Sequence, residues 1–289
     1  MRFSFVILHY NAISDTMECV ESILRRMGNA ARIVVVDNKS PNGSGLELKK
    51  KYKNCECVSV ILNPENEGFA RGNNVGFFYA KKYWNPDFIV MLNNDTLLLQ
   101  DDFAVLVEKE YRESRFAVLG PLVETPHKPY NSNPGSDRLP SLNFFRKYRL
   151  KVRLKLILNY LHLDSSYEKC LEFFRRGKER IFDEEILKKR AENVLLHGCC
   201  WIFSSEYINR FDGLNSRTFL YQEERLLFLR LQQNGLKSVF NPDIRIFHKE
   251  DVATKTVTSD DLLRRRFMYK NYIQSVSVLL DVMKNGENS

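Results

Sequence analysis

The order of apolar segments predicts an α/β fold, with a mostly parallel central sheet flanked by helices and interrupted by a basic helical insertion. Three observations carry this expectation. Short β-branched runs alternate with amphipathic helical patterns over the first hundred residues. Four of those runs stop in polar, mostly carboxylate-bearing loops. The pattern is then broken by a Lys/Arg-rich stretch between about residues 142 and 190 and resumes after it.

The first strand is read at 3–8, ending in His9-Tyr10-Asn11. A helix should follow, with Asp15 and Glu18 spaced like a capping box and Val20, Leu24 and Met27 on its buried face. The run 32–36 stops at Asp37-Asn38 and the turn-rich Ser40-Pro41-Asn42-Gly43. A third strand, 58–62, runs into Asn63-Pro64-Glu65-Asn66-Glu67-Gly68, and a helix then extends to about Tyr83. The fourth, 88–92, ends at Asn93-Asn94-Asp95. In an open α/β sheet the carboxyl edge is where ligands bind, so these loops are the first candidates for a site.

Gly120-Pro121 is taken to close this half, and 126–140 reads as a loop. Apolar sequence resumes at 194–203, a helix through 223–233 stops at Asn234-Gly235, and 238–240 and 244–247 read as two short strands, the second ending at His248. Ser259, Asp260 and Asp261 should cap a last helix reaching about Val282. The expected organisation is one domain over 1–289. Its parts are a ligand-binding half at 1–121, a loop and helical insertion at 122–193, and a second half with the terminal helix at 194–289.

With 44% hydrophobic and 12% aromatic residues, the chain can bury enough surface to fold, which excludes disorder as its main state. No apolar run approaches the roughly 18 residues needed to span a bilayer, and 5–8 is too short for a signal peptide. A cytosolic location is expected, with the inner face of the cytoplasmic membrane as a place of peripheral attachment. Cys55/Cys57 and Cys199/Cys200 lack C-x-x-C spacing, so the six cysteines are read as reduced and mostly buried. The net charge of +8 comes mainly from Arg146, Lys147, Arg149, Lys151, Arg153 and Lys155, with no acidic residue between Asp137 and Asp164. No nucleic-acid-binding module surrounds this stretch, so nucleic acid is not an expected partner. A dinucleotide-dependent oxidoreductase is disfavoured, because His9-Tyr10-Asn11-Ala12 stands where a Gly-x-Gly-x-x-Gly turn would be needed.

The loop and helix start Asn66-Glu67-Gly68-Phe69-Ala70-Arg71-Gly72-Asn73-Asn74-Val75-Gly76 is the most informative segment. Its glycines permit close backbone approach, Arg71 supplies a cation, and the helix start favours an anion. Asp95, at a strand end, suits a hard cation, although it could equally begin the turn before Thr96. Asp37 has two readings of the same kind: a contact to a base or ribose, or a cap on the turn at Ser40.

Taken in order, Val35-Val36-Asp37-Asn38-x-Ser40, Asn66-x-Gly68-Phe69-Ala70-x-Gly72-x-Asn74-x-Gly76, Leu92-Asn93-Asn94-Asp95-Thr96 and Phe211-Asp212-Gly213-Leu214 resemble the family-2 inverting glycosyltransferases of GT-A fold. More narrowly, they are similar to the rhamnosyltransferase-like branch of bacterial surface-polysaccharide synthesis. The resemblance spans about 3–121 and 196–271 and misses the insertion. It implies transfer of a sugar from a nucleotide-diphosphate donor, dTDP-rhamnose or a UDP-sugar, to a hydroxyl of a glycan or lipid-linked glycan. It also implies Mg²⁺ or Mn²⁺ as cofactor, with Asp95 and His248 as its protein ligands. Carried over by position, Asn11, Asp37, Asn66, Gly68, Arg71, Asn73, Asn93 and Asn94 would bind the nucleotide and donor. In Phe219-Leu220-Tyr221-Gln222-Glu223-Glu224-Arg225-Leu226, Glu224 would be the catalytic base and Glu223 its neighbour, and Tyr221 would meet the acceptor; Trp201 could stack on an acceptor sugar or equally lie in the core. Two positions depart from the family pattern: Asn93 stands for the first Asp of the metal motif, and Leu226 for an Asp two places after the base. They leave a catalytically inactive scaffold of the same fold at a membrane surface as the alternative.

Phe145, Tyr148, Val152, Leu156 and Tyr160 fall on one helical face of the basic stretch. Residues 142–163 are therefore expected to be helical. An anionic membrane is one partner they could take, with the apolar face inserted; packing on the domain or an oligomer contact are the alternatives.

Overall fold

The computed structural model describes residues 1–126, 133–175, 184–249 and 261–287. The elements run β1 (Phe3–His9), α1 (Ile13–Met27), β2 (Ala31–Asp37), α2 (Ser44–Lys51), β3 (Val58–Leu62), α3 (Gly68–Trp84), β4 (Phe88–Asn93), β5 (Thr96–Leu97), α4 (Phe103–Ser114) and β6 (Val118–Glu124). They continue with α5 (Leu142–Tyr160), α6 (Asp164–Arg175), β7 (Ala191–Glu192), β8 (Cys200–Ser204), α7 (Ser205–Ile208), α8 (Glu223–Gln233), β9 (Ser238–His248) and α9 (Asp261–Asn285).

One sheet orders these strands β3-β2-β1-β4-β8-β6-β9-β5, with β7 beside β9. It is parallel across β3-β2-β1-β4. At β8 the direction reverses: β8 is antiparallel to both β4 and β6, while β6 and β9 are parallel. Alternation along β1 sends Phe3, Phe5 and Ile7 to one face, among Val20, Ile23 and Phe103, and Val6 to the other, among Phe77, Trp201 and Phe203. A third apolar cluster lies beyond the sheet, where Phe145 of α5, Leu226 of α8 and Val276, Leu279 and Leu280 of α9 meet.

Four local expectations are corrected. Gly120-Pro121 does not end a unit but lies inside β6, and Pro121 sits at the register shift against β9, where a residue without an N–H is tolerated. The segments 238–240 and 244–247 form a single irregular strand, β9, because both halves pair with β6 across that shift. Asp15 and Glu18 do not cap α1: the N-cap is Ala12 without a side-chain bond, and both carboxylates instead receive Lys249 Nζ, at 2.8 and 2.6 Å. Of the cysteines, 19, 199 and 200 are buried, 55 and 57 half-buried and 170 exposed. α9 is present from Asp261; Ser259 and Asp260 lie outside the described residues. Among the described residues no helix is long and apolar enough to cross a membrane.

Candidate active site

The parallel register aligns the strand ends that carry the polar loops. His9 pairs with Asp37, Leu8 with Asn93 and Asp37 with Leu62. Asp37 Oδ1 accepts the Ser40 hydroxyl at 2.5 Å and the Ser40 N–H at 3.2 Å, so the carboxylate does cap its turn. Gly45 is required beneath it, because a Cβ there would lie 2.1 Å from Asp37 Oδ2. His9 is buried between Thr16 Oγ1 and Ser44 Oγ, both at 2.7 Å. Burial lowers its pKa to about 4 against the opposing pull of Asp37, so the ring is neutral at pH 7. The Asn11 N–H donates to Ser40 Oγ at 2.9 Å, and its buried Oδ1 has no hydrogen-bond partner among the described residues.

Asn38 organises the glycine-rich loop, a role that motif matching did not assign to it. Its Nδ2 donates to Asn66 Oδ1 at 2.9 Å and to the Gly68 carbonyl at 3.1 Å, while its Oδ1 accepts Asn63 Nδ2 and the Glu67 N–H. Asn66 Oδ1 also accepts the Gly68 N–H, so Asn66 and Gly68 build the loop itself. Gly68 has φ +76°, and a Cβ on it would lie 2.3 Å from the Phe219 carbonyl oxygen. The segment leading to α8 is thereby pressed directly onto the loop. Asn74, another position without an assigned role, accepts the Leu214 N–H at 2.6 Å and donates to the Leu214 carbonyl at 2.9 Å. That pair docks the Phe211–Leu214 motif onto α3.

The other donor candidates separate by exposure. Arg71 is exposed, with Nε donating to the Ser216 carbonyl and Nη1 3.7 Å from Glu67. Asn73 is buried within α3, where Nδ2 donates to the Phe69 carbonyl, and it is not brought to the surface. Asn94 is also buried and donates to Thr16 Oγ1, leaving half-buried Asn93 nearer solvent. Trp201 requires a correction: it has no exposed surface, and its indole N–H points to the Leu196 carbonyl at 3.3 Å. Strand alternation in β8 turns it into the core beside Phe69 and Phe203, so no sugar can stack on it.

A second group forms where β5 crosses β9. Thr96 pairs with His248, and the Lys249 N–H donates to the Asp95 carbonyl, bringing His248 Nε2 to 3.1 Å from Asp95 Oδ1. The ring of His197 lies 6.1 Å from that of His248, centroid to centroid. His197 Nε2 also lies 3.8 Å from Glu224 Oε1. The same oxygen accepts the Gly198 N–H at 2.8 Å. The Cys199 N–H points at His197 Nδ1 from 3.3 Å, which leaves Nε2 as the protonated nitrogen of a neutral ring, directed at Glu224. His197 has no signal in the sequence, since a histidine directly after Asn193-Val194-Leu195-Leu196 carries no motif of its own.

Glu223 and Glu224 occupy unlike environments. Glu224 is partly exposed, whereas Glu223 is buried, accepts Thr218 Oγ1 at 3.0 Å and has its pKa pushed up to about 7 by desolvation. Two consecutive left-handed residues, Tyr221 (φ 74°) and Gln222 (φ 71°), swing the chain into α8. The Tyr221 ring, half-buried, stacks on Tyr272 of α9 with centroids 4.0 Å apart. Leu226 lies about 200° around the helix from Glu224, in the third apolar cluster. Its departure from the family pattern falls in the core and removes no carboxylate from the face that carries Glu224.

Asp95 and His248 supply a hard carboxylate oxygen and an imidazole nitrogen that meet at one point, a donor pair suited to Mn²⁺ or Mg²⁺. Among the described residues there is no cluster of three or more His, Cys, Asp or Glu that could hold a metal. Two protein donors leave most of a cation's coordination positions for an anionic ligand.

The family profile described as Glycosyl transferase family 2 matches residues 4–211. The chain belongs to glycosyl transferase family 2. This glycosyltransferase is 22% identical over 280 residues to the low-salt glycan biosynthesis hexosyltransferase Agl10 of Haloferax volcanii, a match covering 95% of this chain and 77% of that protein. Among solved structures it is similar to GalNAc-T7 with UDP, GalNAc and Mn²⁺, with TM-score 0.62 and 17% identity over 96% of this chain. The chain spans about half, 48%, of the length of that relative. S. aureus TarS residues 1–349 with UDP gives TM-score 0.55 at 13% identity, covering 98% of this chain and 66% of that one. The mannosyltransferase PcManGT of Pyrobaculum calidifontis with GDP-Man and Mn²⁺ gives 0.55 at 11%, covering 99% and 73%. At these identities the structures establish the fold, which is GT-A.

Proposed function

We propose that this family-2 glycosyltransferase moves one sugar, with inversion, from a nucleotide-diphosphate donor to a hydroxyl of a glycan or lipid-linked glycan. UDP- and dTDP-linked sugars, including dTDP-rhamnose, are the donors of this reading. The observation that carries it is the line Asp95, His248, His197 and Glu224, which sets a cation-binding pair at one end and a held, partly exposed carboxylate at the other.

In this reading Glu224 takes the proton of the acceptor hydroxyl as the acceptor oxygen bonds to the anomeric carbon. The carbon–oxygen bond to the diphosphate breaks, and its electron pair leaves with the nucleotide. The Gly198 N–H holds Glu224 Oε1, with His197 Nε2 3.8 Å away, while the buried Glu223 supports the helix start without meeting substrate. Asp37 and Asn11 receive the base and ribose; Arg71 and Asn93 face the phosphates. A divalent cation held by Asp95 and His248 would stabilise the charge developing on the diphosphate. The presence of UDP with Mn²⁺ in GalNAc-T7 and of GDP-Man with Mn²⁺ in PcManGT supports this assignment.

The test is a thermal-shift panel of UDP, dTDP and GDP, each with Mn²⁺, Mg²⁺ or EDTA, on wild type and on Asp95→Ala. A ligand that binds only the folded chain raises its melting temperature. A metal-dependent rise with one nucleotide, lost in Asp95→Ala, is expected. No rise with any nucleotide at millimolar concentration would sink the transfer reading in favour of a non-catalytic scaffold.

A further inference from the structure

α5 has two apolar faces, and only one of them is covered. Phe145 and Val152 face inward and are buried; Phe145 packs on Leu226 of α8 and on Val276 and Leu279 of α9. Tyr148 and Leu156 are half-buried on the same side, and Tyr160 lies under the Arg266 guanidinium at 4.1 Å. The face that helical spacing marked for membrane insertion is therefore, apart from exposed Tyr160, the one that packs on the domain. On the far side, Leu150, Leu154, Ile157 and Leu161 are 61, 45, 58 and 60% exposed. Their spacing of four, three and four residues makes a single stripe, roughly opposite the buried one.

The stripe has a rim of one charge sign. Arg146 and Arg153 flank one edge, and Lys147 and Lys151 the other, by the same helical geometry. The other two cations of the helix turn away: Arg149 donates to Ser277 Oγ at 3.0 Å and Lys155 pairs with Glu168. There is no acidic residue in α5. A second copy seated here about a two-fold axis would bring Lys and Arg against Lys and Arg, so the rim disfavours self-association. Aliphatic side chains a few residues wide between long cationic ones instead match a surface with an acyl interior and phosphate at its edge.

We propose that the outward face of α5 docks on an anionic bilayer. Leu150, Leu154, Ile157 and Leu161 enter the acyl boundary, and Arg146, Lys147, Lys151 and Arg153 reach the headgroup phosphates. The inner face of the same helix touches α8, with Arg225 over the Phe145 ring, so the lipid lies one helix away from Glu224. On the transfer reading, that places the acceptor side of the site near the membrane. The docking itself needs no nucleotide and stands or falls separately.

The experiment is co-sedimentation of the full chain with phosphatidylcholine vesicles, with and without phosphatidylglycerol. Wild type is expected to pellet only with the anionic vesicles and to be released by salt. The double substitution Leu154→Asp with Ile157→Asp should abolish pelleting without changing the melting temperature, since both side chains are exposed. Lys147→Ala and Arg153→Ala should each weaken binding about fivefold. Should the aspartate variant fail to fold, Lys147→Glu with Arg153→Glu carries the same test from the rim. Wild type that stays in the supernatant, or variants that pellet like wild type, would overturn the proposal. So would a solution dimer that the double substitution converts to monomer, which would make a second copy the occupant.

Discussion

His197 Nε2 lies 3.8 Å from the Glu224 oxygen that accepts the Gly198 N–H, so an imidazole stands beside a carboxylate that residue 198 holds in place. Glu224→Gln keeps an oxygen for the Gly198 N–H but cannot take a proton. It should lower kcat by about 10²–10⁴ with little change in KM or melting temperature. Glu223→Gln should stay within about tenfold of wild type, because that side chain is buried against Thr218. His197→Ala should reduce kcat more than it changes KM, and His197→Gln, which keeps a donor near the Nε2 position, should restore much of it. Nucleotide release from the donor that the thermal-shift panel selects is the measurement. Full activity in Glu224→Gln would move the base elsewhere.

Two buried groups give the stability opposite pH dependences. Glu223, pushed up to about 7 from an ordinary 4.5 by burial, is protonated in the fold where the unfolded chain is ionised. Its contribution is therefore full below about pH 4.5 and is lost as pH rises through about 7. His9, lowered by burial from 6.5 to about 4, acts in reverse: its contribution is lost as pH falls from about 6.5 to about 4. Glu223→Gln should accordingly gain melting temperature relative to wild type between pH 5 and 7, in a series of unfolding scans. Parallel profiles would mean that Glu223 is not protonated in the fold.

Gly68→Ala should be poorly tolerated. The positive φ is strained for alanine, and the new methyl would meet backbone, the Phe219 carbonyl oxygen, at 2.3 Å. A loss of about 1–3 kcal/mol in denaturant unfolding is expected, with weakened nucleotide binding because the loop and the α8 approach must separate. Unchanged stability would show that the loop and residue 219 are not in contact.

Trp201→Ala should behave as a core truncation. The indole is fully buried, so a loss of about 3–5 kcal/mol is expected. Trp201→Phe should fold and leave the acceptor KM unchanged. A large KM effect in that variant would return Trp201 to the acceptor site.

Much of the fold was legible because strand and helix periodicities are local. The runs at 3–8, 32–36, 58–62 and 88–92 appear as β1 to β4, and their parallel register follows from the helices between them. The basic stretch is helical, as its period indicated. Less legible was the second half, where β8 reverses direction and β9 joins two runs into one strand, since pairing partners far apart in the chain decide both. Motif residues were likewise mixed in kind: Asn66 and Gly68 shape the loop, whereas Asn38, Asn74 and His197 emerged only from their contacts.

The sequence alone determined that this chain is an α/β protein with polar loops at one sheet edge, that Asp95 and Glu224 stand at element ends, and that a single helix holds most of the excess charge. Alternation, end signals and charge are properties of neighbours along the chain, and so need no fold to be read. Tertiary structure alone decided which of two neighbouring carboxylates is exposed, that Trp201 is core, that Leu226 is packed away from the site, and which face of α5 is left outside. Each of those is a question of burial. Burial depends on which surfaces meet across the sheet and between α5, α8 and α9, contacts between residues tens to more than a hundred positions apart.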